Sequence, residues 1–180
     1  MPDLALYAIG RDRPGIVAGL SAVLLEHGLN IEDSQATILR GHFAMVLILR
    51  APEEGASEAL LGDLTQAAEE LELQWIYVNE VEDNAEPGPE PSHILSVYGG
   101  DHPGIVHAVS SALAERDIGI TDLNSRVLSG SNGDEPLYVL MLEVAVPDRA
   151  AGEDLQSALR EVAEREGVEV TLREFEDDEL

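Results

Sequence analysis

The chain has 180 residues, with ten basic side chains against 36 acidic ones and a formal net charge of −26. Every basic residue is Arg, and there is no Cys, so disulfides, thiolate metal sites and Cys nucleophiles are excluded. Such a surface repels phosphate, which sets direct nucleic-acid binding aside, and acidity without Lys fits either a salt-rich cytoplasm or a GC-biased genome.

The opening MPDLALYAIG carries a short apolar run, LALYAI (4–9), that ends at Gly10 as a buried strand does. It lacks the basic start and long apolar core of a secretory signal. No stretch reaches the ~20 apolar residues of a membrane span, so a cytoplasmic protein without membrane contact is expected. DRPGIV (12–17) then opens a helix with Ile16, Val17, Leu20, Val23 and Leu24 on one face, stopped at Gly28. Two strands follow, roughly 30–40 and 43–51. A second helix sets Leu60, Leu61, Leu64, Ala67, Ala68 and Leu71 at helical spacing, and LQWIYVNEV (73–81) alternates as a strand. NAEPGPEP (84–91), with Pro87, Pro89 and Pro91, cannot join a sheet or helix and reads as a stiff linker.

The series then starts again. HILSVY (93–98) ends at Gly99, and DHPGIV (101–106) opens a helix with Ile105, Val106, Val109, Ala112 and Leu113, stopped at Asp117-Ile118-Gly119. Strands at roughly 120–129 and 137–146 flank SGSNGDEP (129–136), whose Asn132-Gly133 is a hairpin signal. Leu155, Leu159, Val162 and Ala163 mark another helix, and VEVTLREF (168–175) the last strand. At an offset of 89, residues 12–35 fall on 101–124 without a gap and ten of the 24 positions are identical. Downstream the offset becomes 95, which lays FAMVLILRAP (43–52) on YVLMLEVAVP (138–147). The predicted fold class is α+β, a ferredoxin-like βαββαβ unit occurring twice in tandem. Its domains are expected at 1–83 and 92–180, joined by the linker at 84–91. Each is near the lower size for a stable core, with open sheet edges, so a homodimer is expected.

The repeated Asp-x-Pro-Gly phrase has a chemistry of its own. Pro at the first helical turn wastes no donor, and Gly beside it leaves the first N–H groups uncovered. The helix start, with roughly half a positive charge, is then open to an anion. Asp12 and Asp101, just ahead, can cap the helix or hold an ammonium group. A zwitterionic amino acid uses both features; the simpler alternative is a good helix start and nothing more.

DRPGIVAGLSAVLLEHGLNIEDSQ (12–35) resembles ACT domains, and its GLNIEDSQ part is similar to glycine cleavage system transcriptional regulators, which are tandem ACT pairs without a catalytic domain. The resemblance implies a small amino-acid ligand lying between neighbouring ACT units, against the first loop and helix start of one and the edge strand of the other. Carried over by position, it points to Asp12, Arg13, Gly15, Ile16, Asn30 and Ile31. The second set is Asp101, His102, Gly104, Ile105 and Ile120. Here the sequence departs from its first copy: Gly119 stands where Asn30 does, Asn124 is a displaced substitute, and His102 faces Arg13 in the alignment.

Other signals are weaker. His102 and His107 fall on different helix faces, and His27, His42 and His93 are scattered, so no metal is expected. The helical serines lack a His–Asp pattern, and the carboxylates are too dispersed to make an acid–base pair. Ferredoxin-like sheets also bind RNA, but with aromatics on the sheet and basic surroundings; at 4% aromatic residues this chain is not expected to. The expected protein is a non-catalytic regulator without cofactor that binds a small amino acid and signals to a partner protein. Alternatives are the detached regulatory piece of an enzyme, since formyltetrahydrofolate deformylases begin with a similar DRPGIV-containing domain, or an interaction module whose pockets are lost.

Overall fold

The computed structural model describes residues 3–51, 58–81, 88–129, 136–147 and 152–175. It falls into two compact units, Met1–Glu86 and Pro87–Leu180. The first runs β1 (Asp3–Arg11), α1 (Ile16–Glu26), β2 (Asn30–Leu39), β3 (His42–Arg50), α2 (Glu58–Glu70) and β4 (Leu73–Val81). The second repeats it as β5 (His93–Gly100), α3 (Ile105–Ala114), β6 (Gly119–Leu128), β7 (Leu137–Ala145), α4 (Glu153–Glu166) and β8 (Val168–Glu174). Each unit holds one four-stranded sheet of antiparallel neighbours, in the orders β2-β3-β1-β4 and β6-β7-β5-β8. The architecture is the ferredoxin-like one read from the sequence. Part of the expected linker, the Asn132-Gly133 turn and the acidic tail beyond Phe175 lie outside the described residues.

Period decides which side chains form the core. Leu4, Leu6 and Ala8 of β1 and Phe43, Met45, Leu47 and Leu49 of β3 point to one sheet face. There they meet Ile16, Leu20 and Leu24 of α1 and Leu60 and Leu64 of α2. The second core is built alike from Leu95, Val97, Leu140, Leu142 and Val144 against Ile105, Val109, Leu113, Leu155 and Leu159. Emptying any one of these Leu positions to Ala costs about 2–5 kcal/mol. Val17, Val106 and Leu61, expected on the buried faces, are exposed. The reason is angular: the buried stripe of α1 runs Ile16, Leu20, Leu24, and a residue one place on is turned by about 100°.

Two backbone details shape the sheet ends. Leu39 and His42 are joined by the two-residue turn Arg40-Gly41, with φ of 51° and 82°, the geometry that fits a tight hairpin to twisted strands. Gly10 and Gly99 lie where the outer strand begins: a Cβ on Gly10 would sit 2.9 Å from Leu73 Cδ2, and one on Gly99 would sit 2.6 Å from Val168 Cγ1. Among the described residues no helix is long and apolar enough to cross a membrane.

Candidate functional site

β1 hands the chain to α1 through Asp12-Arg13-Pro14-Gly15. The Asp12 N–H donates to the Gly41 carbonyl at 2.8 Å, which ties this loop to the β2–β3 turn. Gly15 is the N-cap, with φ 100° and ψ −11°, and its carbonyl accepts the first helical bond, from the Gly19 N–H at 2.8 Å. The second copy repeats the geometry: Gly104 has φ 114°, and its carbonyl accepts from the Ala108 N–H at 2.8 Å. Pro14 and Pro103 therefore lie in the turn ahead of the helix and not in its first residue, as the sequence suggested. A left-handed N-cap excludes Pro and favours Gly. Neither helix has a side-chain cap, so Asp12 and Asp101 do not serve as caps. The donors of both first turns thus have no side-chain cap, the arrangement in which a helix start can take an anion.

The second loop residue differs between copies, and in both it ties the loop to the end of the domain's second helix. Arg13 Nη1 lies 3.0 Å from Glu72 Oε2, just past α2. His102 Nε2 lies 2.8 Å from the Glu166 carbonyl, and its Nδ1 lies 3.1 Å from the Pro103 carbonyl. Carbonyl oxygens only accept, so both contacts are hydrogen bonds only when the ring carries two N–H groups. These two bonds, to Pro103 first and Glu166 second, with the Glu166 and Asp101 carboxylates adding attraction, raise the His102 pKa above the ordinary value.

Glu166 also bears on the helix start itself. Its side chain is only 16% exposed, and its Oε2 lies 3.6 Å from the point a Cβ on Gly104 would occupy. Arg165 Nε holds the other oxygen at 2.9 Å. At the matching place in domain 1 stands Leu71, which packs over Gly19.

Within one domain the candidate residues split in two. Asp12, Arg13, Gly15 and Ile16 gather at the end of β1, whose Arg11 pairs with His42. Asn30 begins β2 opposite Arg50, which pairs in turn with Asp3 at the start of β1. Asn30 and Ile31 are thus at the far end of the sheet, about 30 Å from the loop at the rise of a strand. Domain 2 separates Asp101, His102, Gly104 and Ile105 from Ile120 in the same way, with Asn124 midway along β6. Asn30 Nδ2 donates to Glu32 Oε1 at 2.7 Å, and Arg50 lies between Glu32 and Asp3, at 3.5 and 3.6 Å. Asn124 Nδ2 donates to Asp122 Oδ2 at 2.5 Å. Ile31 and Ile120 are both solvent-exposed, as a contact surface at an edge strand requires.

One feature escaped the composition. Tyr7, Trp75 and Tyr77 cluster on the sheet face away from the helices, with Trp75 and Tyr77 stacked at 5.7 Å and 10°. The alternation of LQWIYVNEV, which puts Trp75 and Tyr77 on one side, was the available signal.

A family model described as ACT domain matches residues 3–77 and again 93–173. A UPF0237 protein of Methanopyrus kandleri is 49% identical over 81 residues, 44% of this chain and 90% of that protein. A phosphoserine phosphatase of Streptomyces coelicolor is 29% identical over 176 residues; these are 96% of this chain and only 40% of the phosphatase. Among solved structures, an unknown protein from Galdieria sulphuraria superposes with a TM-score of 0.82 at 27% identity, covering 97% of this chain and 98% of the other. A candidate glycine cleavage system transcriptional repressor superposes with a TM-score of 0.69 at 18% identity over 97% of both chains, a likeness of fold.

Proposed function

This chain belongs to the ACT domain family, and from that premise we propose that it is a non-catalytic regulator that binds a small amino acid, of the glycine or serine kind, and signals to a partner protein. The observation that carries the reading is the pair of helix starts: in both copies a left-handed Gly leaves the first turn without a side-chain cap. A ligand carboxylate suits those donors. The Asp12 carboxylate, without a hydrogen bond or ion pair among the described residues, suits the ammonium. Because the loop and the start of β2 lie at opposite ends of one domain, a neighbouring ACT unit supplies the missing half, and a homodimer is the assembly we expect to provide it. Its setting is the cytoplasm, and control of amino-acid metabolism, including its transcription, is the task such a module performs.

Thermal shift of the full chain across the amino acids tests this. A ligand at 100 times its Kd adds about 2.7 kcal/mol to stability, so glycine or serine should raise Tm, and Asn30→Ala should reduce the rise. No response to any amino acid in the wild type overturns the reading. A second reading rests on the phosphatase match: a chain of this kind occupies 40% of that enzyme's length, so this protein acts as a separate regulatory partner of an amino-acid enzyme. A change in phosphoserine phosphatase rate on adding the chain would favour it.

A further inference from the structure

Each sheet leaves the face away from its helices open, and the two open faces have diverged. In domain 1 that face carries Tyr7, Ile9, Val46, Ile48, Trp75 and Tyr77. In domain 2 Glu143 stands where Ile48 does, and Arg126 stands where Thr37 does. Glu143 lies on β7, an interior strand, half-buried and directly opposite Asp122 of β6. Two carboxylates in a cross-strand pair repel each other. Asp122 accepts from Asn124, whereas the Glu143 carboxylate has no hydrogen bond or ion pair among the described residues. Arg126, on the same face four residues along β6, about 13 Å from Asp122, has none either. Charge that blunts an exposed edge strand explains Arg126. It does not explain Glu143.

These groups line one hollow of about 410 Å³ with an apolar floor of Ile94, Val139 and Met141. The volume falls in the range of small-molecule sites. We propose that this hollow is a second ligand site, for a linear molecule with a carboxylate at one end, an ammonium at the other and a short aliphatic chain between: an ω-amino acid. The Arg126 guanidinium receives the carboxylate through its planar fork. Asp122 and Glu143 receive the ammonium, which relieves their mutual repulsion. The methylenes lie on Met141, whose flexible thioether adapts to them, and on Val139 and Ile94. The site is separate from both helix starts; it takes in Asn124 of the second carried-over set, but it stands or falls independently of amino-acid binding at the start of α1.

A chain of net charge −26 gathers any cation, so the deciding probe is 6-aminohexanoate, which is net neutral. Calorimetric titration of the full chain should show it binding. Hexanoate and pentylamine, its two halves, should each bind at least tenfold more weakly. Arg126→Thr and Glu143→Ile install the residues that domain 1 carries at the same positions, and each should weaken binding by roughly tenfold or more, the loss of one charge-assisted contact. Asn30→Ala should leave the affinity unchanged, which separates this site from the one in domain 1. No binding of 6-aminohexanoate, or wild-type affinity in Arg126→Thr, overturns the proposal. Melting curves accompany the variants, and if Glu143→Ile does not fold, Arg126→Thr decides alone.

Discussion

Gly15→Ala and Gly104→Ala should each destabilise their own domain by about 1–2 kcal/mol, while Gly62→Ala should stabilise domain 1. A Cβ on Gly15 would meet nothing within 4 Å, and one on Gly104 only Glu166 Oε2 at 3.6 Å, an ordinary contact. Packing therefore contributes nothing to the loss. Backbone conformation does: φ of 100° and 114° lies well beyond the left-handed well, where an L residue costs about 1–3 kcal/mol. Against this, Ala narrows the unfolded ensemble by roughly 0.4–1 kcal/mol. Gly62, inside α2, also has open space around it but no positive φ, so Ala there should add about 0.5–1 kcal/mol. Urea unfolding and melting curves of the full chain read these values; in a domain of this size 1 kcal/mol moves Tm by about 4–8 °C. If Gly15→Ala shifts Tm in the same direction as Gly62→Ala, the left-handed N-cap is refuted. The result also governs how a bulkier change at Gly15 is read, since lost ligand response there mixes strain with blocking. Asn30→Ala, with its negative φ and exposed side chain, is the cleaner probe.

Three further outcomes are expected. The raised pKa of His102 makes its stabilisation of domain 2 complete below the ordinary histidine value and lost as pH climbs through the raised one; Tm followed against pH should fall over that interval, and His102→Gln should remove that fall. Arg40→Asn should stabilise the β2–β3 turn by a few tenths to about 1 kcal/mol, because Asn-Gly tolerates two positive φ values better than Arg-Gly; an unchanged urea midpoint would contradict it. Raising salt from low to molar should raise Tm markedly as the −26 charge is screened, whereas a flat response would favour genome bias as the origin of the acidity.

The order of elements was legible because each is written in its own period. FAMVLILRAP and YVLMLEVAVP are near-continuous apolar runs, which mark buried strands without saying which side faces the helices; Met45 and Leu140 both lie in the observed cores. Twofold repetition strengthened every assignment, since a weak signal in one copy met its counterpart in the other. Backbone conformation at the loops was less legible. Pro-Gly ahead of an apolar helix permits either Pro as the first helical residue or Gly as a left-handed cap, and nothing local chooses between them. The aromatic cluster was hidden by averaging: a 4% aromatic content says nothing of three rings arriving at one place from β1 and β4. The loop tethers were beyond reach, because the partners of Arg13 and His102 come from the far end of another helix, 64 residues on in the case of His102.

The two helix starts, alike in sequence phrase except at Arg13 and His102, differ most in what the rest of the chain places beside them. Gly19 of α1 lets Leu71 pack over it, since a Cβ there would lie 3.0 Å from Leu71 Cδ1. In domain 2 the matching pair is Ala108 and Glu166. Ala closes the seat that Leu71 uses, and Glu166 is instead held by two contacts. His102 donates to its carbonyl and Arg165 holds one carboxylate oxygen, while the other lies 3.6 Å from where a Cβ on Gly104 would stand. A carboxylate from the chain itself therefore stands near the start of α3, without capping it. An anion approaching α1 meets no carboxylate at the position of Leu71, whereas one approaching α3 meets like-charge repulsion from Glu166. On the proposed amino-acid reading, the start of α1 is therefore the better anion site of the two. This asymmetry follows from a Leu-to-Glu difference at a position that neither repeated phrase contains.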